Sequence, residues 1–194
     1  MPIGPICANN KMNAPQPDNS NFEDLVRQVR QAMRRECKLI VKLSPNVGDI
    51  TATARAAIDG GAQILSMINT YTAMTIDIYQ RKPRLANGTG GLSGPAIRPL
   101  AVHLVHRVYR SVAKDAGVPI IGMGGIQYWQ DAVEFLLAGA TGLAVGTALF
   151  VDPATPVTIM QGLRDYLAQQ GCHSINEIIG ALETVAPVPR TPYP

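Results

Sequence analysis

The chain has 194 residues, of which 46% are hydrophobic and 16% charged, the composition of one compact domain with a core of its own. Its net charge of +3 is mild, and Arg27, Arg30, Arg34, Arg35, Arg81, Lys82, Arg107 and Arg110 are scattered without interleaved aromatics, which argues against a nucleic-acid stripe. No apolar run approaches the roughly 20 residues that span a bilayer, and the N-terminus lacks a secretion signal, so a cytoplasmic location is expected.

Residues 8–19 are rich in turn formers and read as a loop, after which Asn19 or Ser20 can cap a helix whose buried face is Phe22, Leu25, Val26, Val29 and Met33. Leu39 to Leu43, closed by Ser44 and Pro45, fits a buried parallel strand. Asp49 opens a helix through Ala54, Ala57 and Ile58 that stops at Gly60 and Gly61, and Gln63 to Ile68 is the next strand. A long loop rich in threonine and glycine runs to Gly94. Pro95 then starts a helix buried through Ile97, Leu100, Leu104, Val105 and Val108, and Val118 to Ile121 is a strand. A helix through Ala132, Val133, Leu136 and Leu137 ends at Gly139, followed by the strand Gly142 to Val145 and a last helix over about Pro153 to Gln169.

Four buried strands alternating with amphipathic helices specify an α/β fold with an all-parallel sheet, because each parallel return needs a crossover. The pattern is that of a partial TIM-type (β/α)8 barrel, about its C-terminal half; a whole barrel takes about 250 residues. The barrel portion is assigned to residues 1–182 and a proline-rich tail to 183–194, where Pro187, Pro189, Pro192 and Pro194 cannot extend a helix.

Cys7, Cys37 and Cys172 are odd in number, far apart and in no Cys-x-x-Cys spacing, so neither disulfides nor a metal site is indicated. His103 and His106 lie three apart on a helix without a third ligand, which favours surface or packing roles. In barrels of this kind the reactive groups sit at the C-terminal strand ends, which directs attention to Lys42, Asn69 with Thr70, Gly122 to Gly125, and Gly146 with Thr147. An ammonium on an otherwise apolar strand requires either a polar cavity or anion, or a structural ion pair. Glycines before a helix let backbone N–H groups approach a phosphate, or simply make a tight turn; two such turns on adjacent last strands favour the phosphate.

Taken together, Val41-Lys42-Leu43-Ser44-Pro45-Asn46, Ile68-Asn69-Thr70, Gly90-Gly91-Leu92-Ser93-Gly94-Pro95-Ala96-Ile97, Gly122-Met123-Gly124-Gly125-Ile126 and Gly146-Thr147 closely resemble the C-terminal part of class 1B dihydroorotate dehydrogenase. The resemblance runs over roughly residues 23–182 and includes Arg81-Lys82-Pro83 through Leu85-Ala86-Asn87. It implies an FMN-dependent oxidation of dihydroorotate to orotate in pyrimidine (UMP) biosynthesis, in which a cysteine takes a proton from C5 and FMN the hydride from C6. By position, Lys42 would contact the flavin pyrimidine end, Ile68 and Gly94 would line the FMN, and Gly124, Gly125, Gly146 and Thr147 would hold its phosphate. Asn69 and Thr70 would bind orotate.

The family's catalytic cysteine lies in a Ser-Cys-Pro-Asn motif upstream of that lysine. Cys7 is the positional match to the base and Asn9 to a substrate ligand, although Ile6 replaces the serine, Ala8 the proline, and Gly4 an asparagine. The family's first three strands and most of its fourth have no counterpart, so a fragment, a mis-started gene product or a natural truncation is expected. Open parallel edges then favour a homo-oligomer. The NAD-linked members work with a second subunit carrying FAD and an iron-sulfur cluster, which is the electron-transfer partner the resemblance implies. A dihydropyrimidine dehydrogenase-like module, and a non-catalytic half-barrel binding a phosphorylated ligand or a partner, are the alternatives.

Overall fold

The computed structural model describes residues 6–7 and 19–183, and of Ile6, Cys7 and Asn19 the backbone alone. The expectations for Gly4, Ala8, Asn9, the turn-rich stretch before Asn19 and the prolines from Pro187 onward lie outside the described residues.

A parallel sheet carries the fold. Its strands are β1 (Ile6–Cys7), β2 (Ile40–Leu43), β3 (Ile64–Met67), β8 (Ile120–Met123) and β9 (Gly142–Ala144), ordered β1-β2-β3-β8-β9. Each strand lies beside its predecessor in the sheet, so the chain winds in one direction. A doubly wound sheet would reverse at a switch point, whereas one-way winding is the arrangement of a barrel segment. The fold is therefore a partial (β/α) barrel, with one more strand than the four expected, because Ile6 and Cys7 pair with Val41 and Lys42.

Strand pleating divides the side chains. Val41, Leu43, Leu65, Met67 and Ile120 are fully buried beneath the helices, while Ile40, Lys42, Ile64, Ile121 and Met123 alternate with them and are half-buried on the opposite face. The covering helices are α1 (Asn19–Ala32), α2 (Ile50–Asp59), α3 (Arg98–Val108), α5 (Trp129–Ala138) and α6 (Thr155–Gln169). Asp49 caps α2 by accepting from the Thr51 N–H at 2.9 Å. At its end α1 presses close: a Cβ on Gly60 would lie 2.6 Å from the Glu23 carbonyl oxygen. That contact uses Phe22 and Val26, and Leu25, expected on the same face, is 51% exposed. Leu100 is likewise exposed, because α3 buries Ala101, Val105 and Val108 instead. The start of α1 at Asn19 also places both Asn19 and Ser20 inside its first turn.

The α3 helix enters through a 3-10 turn (Pro95–Ile97) and leaves through a π turn (Tyr109–Ala113) into the short α4 (Lys114–Ala116), closed by Gly117 at φ 64°. This exit explains why β8 begins at Ile120 and not Val118. The Val118 N–H still donates to Ala113 O at 3.0 Å, and Pro119 has no N–H to give a ladder. The strand then runs through Gly122 and Met123, moving the glycine turn to Gly124 and Gly125.

The segment expected as one long loop is structured. β4 (Tyr71–Ala73) pairs antiparallel with β7 (Gly90–Leu92), and β5 (Ile76–Asp77) with β6 (Lys82–Pro83), so the chain leaves the barrel rim and returns to it as a ribbon. Among the described residues no helix is long and apolar enough to cross a membrane.

Candidate functional site

At the C-terminal ends of β2, β3, β8 and β9 lies a cleft of about 320 Å³. Lys42, Ile68, Asn69, Thr70, Gly94, Gly124, Gly125, Gly146 and Thr147 all line it, as do Ser93, Ile97, Met123, Ala144 and Val145. The last five carry no signal as single residues: only their places beside the motif glycines and strand ends put them there. Asn9 lies outside the described residues.

Lys42 stands in a row set by sheet register, with Cys7 beside it on β1 and Ser66 beside it on β3. Among the described residues no carboxylate pairs with it. Among the described residues, then, the structural ion pair is not formed, and the half-buried Lys42 lines the cleft.

The glycines form a cradle for two different reasons. Gly124 (φ 131°) and Gly125 (φ 79°) adopt backbone conformations that side chains resist, and a Cβ on Gly125 would stand 2.7 Å from Gly94 O and 2.9 Å from Arg98 Cβ. The turn is thus pressed onto the start of α3. Gly146 has no such constraint, since a Cβ there would meet nothing within 4 Å. It would meet open space beside the cleft that Gly146 lines. Across the mouth, the Thr147 hydroxyl donates to Ser93 Oγ at 3.0 Å. Two glycine turns, two hydroxyls and a lysine above apolar walls of Ile68, Ile97, Met123 and Val145 suit a flat, partly apolar ligand ending in a phosphate.

Beneath the cradle, Arg98 on α3 is ion-paired with Asp131 on α5, and its Nε lies 3.2 Å from Glu134 Oε2. Asp131 is buried and also accepts from the Gln127 and Tyr128 N–H groups at 2.8 and 2.9 Å. One carboxylate therefore caps α5 and ties it to the helix that supports Gly125.

Asn69 and Thr70 follow β3. The Asn69 N–H donates to Leu43 O at 3.0 Å, and the Thr70 N–H to Asn69 Oδ1 at 3.0 Å. Burial pushes the phenol of the next residue, Tyr71, above its ordinary value, so it stays neutral. Away from the cleft, Cys37 and Cys172 are partly buried free thiols, His103 is exposed and His106 half-buried. No cluster of potential metal ligands exists among the described residues.

The family model for dihydroorotate dehydrogenase matches residues 7–167. The catalytic subunit of dihydroorotate dehydrogenase B (NAD(+)) from Bacteroides thetaiotaomicron is 49% identical over 160 residues, covering 82% of this chain and 51% of that protein. The protein of the same description from Geotalea daltonii is 54% identical over 166 residues, covering 86% and 52%. The one from Alkaliphilus oremlandii is 51% identical over 160 residues, covering 81% and 52%. The chain spans about half the length of the curated relatives it matches.

Proposed function

The chain belongs to the dihydroorotate dehydrogenase family, and from that premise we propose that its cleft is the FMN side of a site that oxidises dihydroorotate to orotate. The observation that carries the reading is the convergence of Lys42, Asn69, Thr70, Gly124, Gly125, Gly146 and Thr147 on one cleft from four different strand ends.

Gly124, Gly125, Gly146 and Thr147 would hold the FMN phosphate, Ile68 and Gly94 would line the cofactor, and Lys42 would contact its pyrimidine end. FMN, when bound, supplies the hydride acceptor for C6 of the substrate. Lys42 contributes a fixed positive charge in a partly dry cleft, where such a charge counts for more than in water. Asn69 and Thr70 orient the substrate by hydrogen bonds. Cys7, whose backbone neighbours Lys42 in register, takes the C5 proton as thiolate and passes it to solvent, which balances the hydride lost from C6. Asn9 assists in holding the substrate. An NAD-linked partner subunit carrying FAD and an iron-sulfur cluster would accept the electrons, and this chain itself self-associates.

The visible spectrum of the purified chain tests this. Stoichiometric flavin absorbance that bleaches anaerobically with dihydroorotate is the expected result. A colourless protein that takes up no added FMN would sink the proposal.

A further inference from the structure

We infer that Asn46 is a positioning residue that sets Thr70 in place and with it the substrate edge of the cleft. The inference rests on the reading of Asn69 and Thr70 as substrate ligands.

Asn46 lies in the turn after β2, is exposed, and does not line the cleft. Its Nδ2 donates to the Thr70 carbonyl at 2.9 Å, and its Oδ1 accepts from the Thr72 N–H at 2.9 Å. A carbonyl and the N–H two residues on are the pair that a neighbouring strand would take from a strand edge. The carboxamide thus substitutes for a strand alongside Thr70 and Thr72. Its orientation is fixed, because the Thr70 carbonyl can only accept and the Thr72 N–H can only donate. Ser44 Oγ holds it further, accepting from the Asn46 N–H and from Nδ2, each at 3.2 Å.

Thr70 is held from the other side too. A Cβ on Gly91 of β7 would stand 2.4 Å from Thr70 Oγ1, so the threonine side chain fits only against bare glycine. Asn46 fixes the main chain while Gly91 bounds the side chain. Other side chains fail for definite reasons: aspartate has no donor and would oppose its charge to the Thr70 carbonyl, and alanine offers neither bond.

The test compares the full wild-type chain, loaded with FMN, with Asn46→Ala and Asn46→Asp. Amide hydrogen exchange is read over residues 69–73, and orotate affinity from the perturbation of the flavin spectrum. The expected result is roughly tenfold faster exchange at Thr72 and roughly tenfold weaker orotate binding in Asn46→Ala, at unchanged FMN content. Asn46→Asp, which keeps the acceptor for Thr72, should retain most of the amide protection yet still lose orotate affinity. Unchanged exchange in Asn46→Ala would show that there is no clamp, and faster exchange with undiminished orotate affinity would show that the clamp does not serve the substrate; either overturns the inference. A wild-type chain without flavin, or whose flavin ignores orotate, overturns the underlying reading and this inference together, so the two failures are told apart.

Discussion

The carbonyl oxygen of Gly94 lies 2.7 Å from the point where a Cβ on Gly125 would stand, so the entry to one helix and the turn after β8 share a space that only hydrogen can fill. Gly125→Ala should therefore cost the fold roughly 2 to 4 kcal/mol, through the clash and the left-handed φ together. Gly146→Ala, whose Cβ meets nothing within 4 Å, should melt within about 1 kcal/mol of wild type yet retain FMN at least roughly tenfold less well. Urea titration beside flavin content after gel filtration separates the two. Equal stability of both variants would contradict the division.

Removing the Asp131 carboxylate leaves Arg98 with Glu134 alone and frees two N–H groups at the start of α5. Asp131→Ala should destabilise by roughly 3 kcal/mol and loosen the glycine turn above it. Double-mutant cycles with Arg98→Ala give the coupling, and a value near zero would make the pair incidental.

Lys42 has no acidic partner among the described residues, so Lys42→Met should leave the denaturation midpoint nearly unchanged. FMN affinity should instead fall roughly tenfold, as for loss of one charge-assisted contact. A large loss of stability with normal FMN binding would return the residue to a structural role.

Cys7→Ala should abolish dihydroorotate oxidation while sparing FMN binding, since the thiolate is the proposed proton acceptor. Activity within about twofold of wild type would exclude it as the base.

The Tyr71 phenol has a folded value raised above 10.0 by burial, so the unfolded chain loses this proton first as pH rises. Stability from this group is intact below about pH 10 and declines above it as pH climbs toward the folded value. Tyr71→Phe should flatten that decline in pH-dependent urea midpoints.

Lys42 and the glycines could be located from the sequence because each breaks a local rule, a charge on an apolar strand or a glycine run where a helix begins. The amphipathic helices and parallel strands were equally legible, since their periods are written into Val26, Val41, Leu65 and Ala101. The ribbon over β4 to β7 was not. Its strands are two or three residues long and pair across up to about twenty residues, so no periodicity accumulates to announce them. Asn46 was hidden for another reason: its partners are main-chain atoms of Thr70 and Thr72, which carry no sequence identity at all. The exposure of Leu25 and Leu100 shows the converse limit, where an apolar period was wider than the contact it serves.

The one-way winding of the sheet puts every strand-to-helix loop on the same rim, each anchored by its own strand. The rim behaves like a row of independent tool holders. A changed loop alters one contact with a bound molecule and leaves its neighbours in register, and the excursion between Thr70 and Gly94 is such a loop grown long. Variation in this chain's selectivity is therefore cheapest to obtain along that rim, far from the buried face of Val41, Leu65 and Ile120 on which the fold depends.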